Sequence, residues 1–193
     1  IGKSFSVLQK RLKKHSKMNI LHSPTLTSEL SNSNLFLDTN AIKGLLNIQE
    51  MLTLFKVELE CSFTTIPSVV FEFTRGSETP GVFNERREFI DRLGNVYPIE
   101  KHLEELQELI IVLQRLGGNA SYTDFLLTAC LHQFRNSFLL TEDHKDFPLE
   151  ILDRKHLITV DTGKEIRNYG IYQWSISKFD KAADNILKRK PPF

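Results

Sequence analysis

The sequence predicts an α/β fold, a three-layer α/β/α sandwich around a mainly parallel central sheet. Two observations carry that expectation. Short, continuous apolar runs such as Leu35-Phe36-Leu37 and Phe138-Leu139-Leu140 end at polar turns, the pattern of strands buried on both faces. Between such runs lie segments with apolar residues three and four apart, and strands alternating with helices at this interval build parallel sheets.

The chain has 193 residues, 40 % of them apolar and 25 % charged, which suits one soluble domain. No apolar run approaches the roughly 18 residues of a membrane span, and no charged start followed by an apolar stretch suggests a signal peptide. Cys61 and Cys130 sit in apolar surroundings that suit buried, reduced thiols. The expectation is a cytoplasmic protein without a membrane partner.

Taken in order, residues 1–18 place Phe5, Leu8 and Leu12 at helical spacing among Lys10, Arg11, Lys13, Lys14 and Lys17, a basic amphipathic helix fit for nucleic acid, a membrane surface or a partner. The stretch Ser23 to Asn34 is rich in Ser, Thr and Asn and reads as a linker. Strand Leu35–Leu37 ends at Asp38, a helix follows over 40–57, and Cys61 to Ile66 forms a second strand. Pro67 opens a helix that Gly76 stops, with Glu72 inside it. A helix over Phe83 to Leu93 and a short strand over Val96 to Ile99 come next. Leu103, Leu106, Ile110 and Leu113 then mark an amphipathic helix ended by Gly117-Gly118. Ser121-Tyr122-Thr123-Asp124 has the form of a capping box before a helix, Phe125 to Phe134, that is apolar almost all round. Strand Ser137 to Leu140 leads to Asp143, and His156 to Val160 reads as a fifth strand. These elements divide the chain into an arm at 1–33, a compact domain at 34–165 and a C-terminal extension at 166–193.

Charge is unevenly spread. Residues 1–20 carry six Lys/Arg and no acid, residues 178–193 carry five against two acids, and residues 21–177 hold 14 basic and 22 acidic side chains. An acidic centre with basic ends suits a polyphosphate ligand if cations neutralise the centre and the ends attract the backbone. A solvated acidic face with basic tails explains the same pattern.

Four acids stand out. Asp38 and Asp143 follow buried strands, where α/β sheets bind ligands beyond the carboxyl ends. Asp124 opens an apolar helix, and Glu72 lies among Val69, Val70, Phe71 and Phe73. Each has a simpler reading: Asp38 as a helix cap, Asp124 as a first-turn acid, Glu72 as a surface acid, Asp143 as one of several acids beside Glu142 and Asp146. Together they could meet at one sheet edge, where like charges repel unless a divalent cation holds them. Hard oxygen donors suit Mg²⁺ or Mn²⁺, and the six histidines show no zinc-ligand spacing.

The four segments resemble the motifs of PIN-domain nucleases, the family of VapC-like toxin ribonucleases and related RNA-processing PIN proteins. Leu35-Phe36-Leu37-Asp38-Thr39-Asn40 is similar to the opening motif, Ser68 through Gly76 to the second with Glu72 as its glutamate, Ser121-Tyr122-Thr123-Asp124 to the third, and Leu139-Leu140-Thr141-Glu142-Asp143 to the fourth, in family order over residues 34–165. The interval from Asp143 to Phe147 is one residue longer than the family's usual close, so Asp146 competes with Asp143 for its role. The resemblance implies a metal-dependent endoribonuclease acting mostly on single-stranded RNA, with Asp38, Glu72, Asp124 and Asp143 as the catalytic metal-site acids and with Asn40 and Thr141 orienting carboxylates or water. It further implies, for a toxin-type member, a homodimer and an antitoxin protein that blocks the cleft. A PIN-like module that binds RNA or protein without cutting is the alternative. A haloacid-type phosphotransferase would want a second aspartate where Asn40 stands.

Overall fold

The computed structural model describes residues 19–99, 106–116 and 120–187. Seven strands and eight α-helices form an α/β fold among these residues. The strands are β1 (Asn19–Leu21), β2 (Asn34–Leu37), β3 (Ser62–Thr65), β4 (Asn95–Val96), β5 (Phe138–Thr141), β6 (Leu152–Asp161) and β7 (Ile166–Trp174). They make one sheet in the order β1-β6-β7-β5-β2-β3-β4.

That sheet is mixed rather than mainly parallel. β2 pairs parallel with β3 and β5, and β3 with β4. β7 pairs antiparallel with β5 and β6, and β1 antiparallel with β6. Connection length explains the pairs that are consecutive in the chain. Helices join β2 to β3 and β3 to β4, whereas β6 and β7 are joined by a turn in which Gly163 has φ 74° and Thr162 N–H donates to Glu165 O at 3.1 Å. A turn this short can link only antiparallel neighbours.

The same hairpin overrides the expected boundary at 165/166, because β7 lies between β5 and β6 in the body of the sheet. At the other end, β1 extends the sheet and α1 (Leu26–Leu30) buries Leu26 and Leu30 completely. The Ser/Thr/Asn-rich stretch is therefore built into the fold and is not a linker. The expected basic helix over 1–18 lies outside the described residues.

The remaining helices are α2 (Thr39–Asn47), α3 (Gln49–Thr53), α4 (Pro67–Arg75), α5 (Pro80–Leu93), α6 (Gln107–Leu116), α7 (Tyr122–Gln133) and α8 (Ile176–Leu187), with one π-helical turn at Leu54–Glu58. The single helix expected over 40–57 breaks at Ile48, whose backbone is extended at φ −120°, ψ 92°. Helix α4 starts at Pro67, where the missing N–H costs no hydrogen bond, and stops at Gly76 as the sequence predicts. Helix α7 buries seven residues from Thr123 to Leu131, so it is interior on most of its circumference. Phe36, Leu37, Leu139 and Leu140 of the sheet join Ile42 and Leu45 of α2 and Leu126 and Leu127 of α7 in one core. No described helix is long and apolar enough to cross a membrane.

This topology fixes where a site can form. β2, β3 and β5 are mutually parallel, so their carboxyl ends share one edge, and the chain leaves β2 toward β3 but returns beside it as β5. Such a switch point opens a crevice between β2 and β5. Helix α2 starts directly from the end of β2. Helix α7 leads into β5 through the short segment 134–137 and runs back along it, so the N-termini of both helices face that crevice.

Candidate active site

Asp38 is the first residue beyond β2 and is 6 % exposed. It caps α2: its Oδ1 accepts from the Ala41 N–H at 2.6 Å. Its Oδ2 accepts from the Thr141 hydroxyl. Strand register produces that second bond, since Leu37 lies beside Leu140 in the β2–β5 pair and the next two residues, Asp38 and Thr141, come together. Thr141 Oγ1 also accepts from the Asp143 N–H at 2.9 Å. One buried hydroxyl thus ties the first acid to the backbone of the fourth.

Glu72 bridges the two helix starts. Its Oε2 accepts from the Thr39 hydroxyl at 2.8 Å and its Oε1 from the Thr123 hydroxyl at 2.5 Å. Thr39 follows Asp38, and Thr123 precedes Asp124, so the bonds of Glu72 carry it to both neighbours.

Asp124 completes the expected capping box. Its Oδ2 accepts from the Ser121 N–H at 2.8 Å and the Ser121 hydroxyl at 2.7 Å, while Ser121 Oγ accepts from the Asp124 N–H at 3.2 Å. Asp143 Oδ1 accepts from the Lys145 N–H at 3.2 Å. The simpler roles read from sequence therefore hold for Asp38 and Asp124, which cap helices while also facing the other acids.

Electrostatics show that the acids share one field. Burial pushes the Asp38 carboxyl up to about 7 from its ordinary 3.8; the bonds from Thr141 and Ala41 oppose the rise, and the charges of Asp124 and Asp143 add to it. Burial also raises Asp124, against the bonds from Ser121 and with help from Asp143 and Glu72. Asp146 is raised by burial, then by Asp143 and Asp124, so it belongs to the same acidic group as its sequence position suggested. Among the described residues none of Asp38, Glu72, Asp124 and Asp143 forms an ion pair with a lysine or arginine; Glu142, the residue before Asp143, pairs with Arg167 at 3.7 Å.

Two differences from the sequence reading concern the supporting residues. Asn40, half-buried on the first turn of α2, makes no hydrogen bond to these acids among the described residues; Thr39, between Asp38 and Asn40, is the residue that touches Glu72. Thr123, inside the third motif, holds the other oxygen of Glu72, whereas Ser121 holds Asp124 as the capping box predicts.

His144 has a role that its sequence position does not signal. The Asn168 carbonyl can only accept, so His144 Nε2 carries the hydrogen that spans 3.1 Å to it, and Nδ1 accepts from the Tyr172 hydroxyl at 2.8 Å. These bonds pin the loop after Asp143 to β7. Gly170 leaves the room they need, because a Cβ there would lie 2.9 Å from His144 Nδ1. The candidate RNA contacts Lys10, Arg11, Lys13, Lys14 and Lys17 lie outside the described residues.

Among the described residues, no group of three or more His, Cys, Asp or Glu side chains is gathered closely enough to hold a metal ion by itself. No family model, curated protein or solved structure matches the chain.

Proposed function

We propose that this chain is a PIN-type endoribonuclease that hydrolyses phosphodiester bonds of RNA with Mg²⁺ or Mn²⁺. The observation that carries the reading is Asp38: a buried carboxylate at the switch point of the sheet, facing Asp124 and Asp143, with no basic side chain compensating it among the described residues. A buried charge without a partner is costly, and a divalent cation is the partner that hard oxygen donors select. The open spacing of the acids fits this choice. Mg²⁺ keeps several waters and binds through one or two carboxylates, so it needs no closed cage of protein ligands.

In this reading Asp38, Asp124 and Asp143 would hold the ion, directly or through water, with Glu72 completing the four-carboxylate site. A divalent ion held there would supply Lewis acidity at the phosphoryl oxygen and lower the pKa of a bound water. The protein's part is orientation. Thr141 fixes the Asp38 carboxylate and the Asp143 backbone, while Thr39 and Thr123 hold both oxygens of Glu72. RNA cleavage by the full chain, measured with Mg²⁺, Mn²⁺ or a chelator and compared with Asp38→Asn, is the direct test.

Two observations favour a second reading, a PIN-like module that binds RNA or protein without cutting: each Glu72 oxygen is already engaged by a threonine hydroxyl, and no three-ligand cluster exists among the described residues. Intact acids argue for the first. A toxin-type member would also form a homodimer and accept an antitoxin segment whose Lys or Arg meets the same acids; sedimentation that finds only monomers over a wide concentration range rejects that setting and leaves the nuclease reading in place.

A further inference from the structure

Two exposed aromatic side chains stand one residue before groups of the acidic site, and nothing in the chemistry above uses them. Phe71 is 65 % exposed and Tyr122 is 59 % exposed. Phe71 directly precedes Glu72 on α4, and Tyr122 directly precedes Thr123 on α7. The 2.5 Å bond from Thr123 to Glu72 joins the residues that follow them, so α4 and α7 bring the two aromatic positions to the same part of the surface. The core does not require Phe71: Val69, Val70, Phe73 and Thr74 form the buried face of α4. Arg75, four residues after Phe71 and also exposed, lies on the same face one turn along.

We propose that Phe71 and Tyr122 are stacking platforms for the bases of single-stranded RNA next to the carboxylates, with Arg75 contacting a flanking phosphate. The proposal rests on the nuclease reading for its substrate. Every base has a π-face, so stacking on aromatic side chains binds single strands with little regard to sequence, and a nearby cation tracks the backbone. The alternative occupant, another protein, would want a contiguous apolar patch. Here the neighbouring exposed positions are Pro67, Arg75, Gly76, Ala120 and Ser121, which are small, polar or charged. A duplex keeps its base faces stacked inside, so these platforms select unpaired RNA.

The test uses the full chain with a chelator present, so that nothing is cleaved, and reads the anisotropy of a fluorescein-labelled oligoadenylate. Phe71→Ala and Tyr122→Ala should each weaken binding roughly 5- to 100-fold, the range of one lost stacking contact. Tyr122→Phe should bind like the wild type, and Phe71→Leu, which keeps apolar bulk without a π-face, should bind like Phe71→Ala. Arg75→Ala should flatten the salt dependence. Unchanged affinity in both alanine variants overturns the proposal, as does a wild type that ignores the oligonucleotide. Sedimentation of the same variants decides the other occupant: a dimer lost together with affinity means the rings belong to a protein interface. Binding that follows these expectations without any cleavage once Mg²⁺ is supplied refutes the nuclease reading alone, and cleavage with unaffected alanine variants refutes the platforms alone.

Discussion

Replacing Asp38 with Asn isolates the energetic cost of its buried charge. The carboxyl titrates near 7 in the folded protein against 3.8 ordinarily, so the folded state holds its proton more tightly than the unfolded state does. The sign follows. Below about pH 3.8 both states are protonated and the group costs nothing; as pH rises toward 7 the unfolded chain ionises first, and wild-type stability falls until the folded carboxyl also ionises. At about 1.36 kcal/mol per pH unit, that span amounts to about 4 kcal/mol, lost between roughly pH 4 and pH 7 and constant above. Asn keeps the acceptor that meets Ala41 N–H but turns a donor toward Thr141, whose oxygen already accepts from Asp143 N–H. Asp38→Asn therefore carries a fixed local cost of about 1–3 kcal/mol that does not depend on pH. Urea unfolding of both proteins, with a chelator, at pH 4.5, 6 and 8 measures the difference. The variant should gain on the wild type as pH rises, by a few kcal/mol in total. A difference that stays flat, or that moves against the variant, refutes the reasoning.

Three further outcomes follow from local geometry and charge. Gly44→Ala adds a Cβ that would meet Tyr169 Oη at 2.6 Å; overpacking of about 1–3 kcal/mol outweighs a gain of about 1 kcal/mol in helix propensity, so the melting temperature should fall rather than rise. Ser121→Ala removes the reciprocal cap of α7 and should cost about 1 kcal/mol, seen as a fall of about 2–4 °C in melting temperature. Deleting residues 1–18, which carry six Lys/Arg and no acid, should weaken RNA binding and reduce the slope of affinity against salt; identical slopes for both chains mean the arm does not meet RNA.

The parts of the fold that were legible in the sequence are those that local chemistry decides alone. Pro67 and Gly76 bound α4 because one lacks an N–H and the other ends a helix cheaply. Ser121 and Asp124 mark the start of α7, and the runs at Leu35 and Phe138 are buried parallel strands. What was not legible depends on pairing. The β6–β7 hairpin had a signal in Thr162-Gly163, but Tyr169, Ile171 and Tyr172 become core only once β7 inserts beside β5. β1 has three residues, too few for a pattern, and finds its place by pairing with β6. At the site the four acids could be named from sequence because each follows a strand or sits on a marked helix. Of the threonines that hold them, Thr141 stood out through its place in the fourth motif, but Thr39 and Thr123 could not be chosen, because they matter through contacts to Glu72 that lie 33 and 51 residues away.

Cleavage of a mixed single-stranded RNA by the full chain and by Asp38→Asn, measured with Mg²⁺, with Mn²⁺ and with a chelator, tests the nuclease reading most directly. The nuclease reading predicts cleavage by the wild type with either metal, none with the chelator, and none by the folded variant under any condition, because the substitution keeps shape while deleting the charge a hard cation requires. Cleavage at the wild-type rate by pure, folded Asp38→Asn, or cleavage indifferent to the chelator, contradicts it.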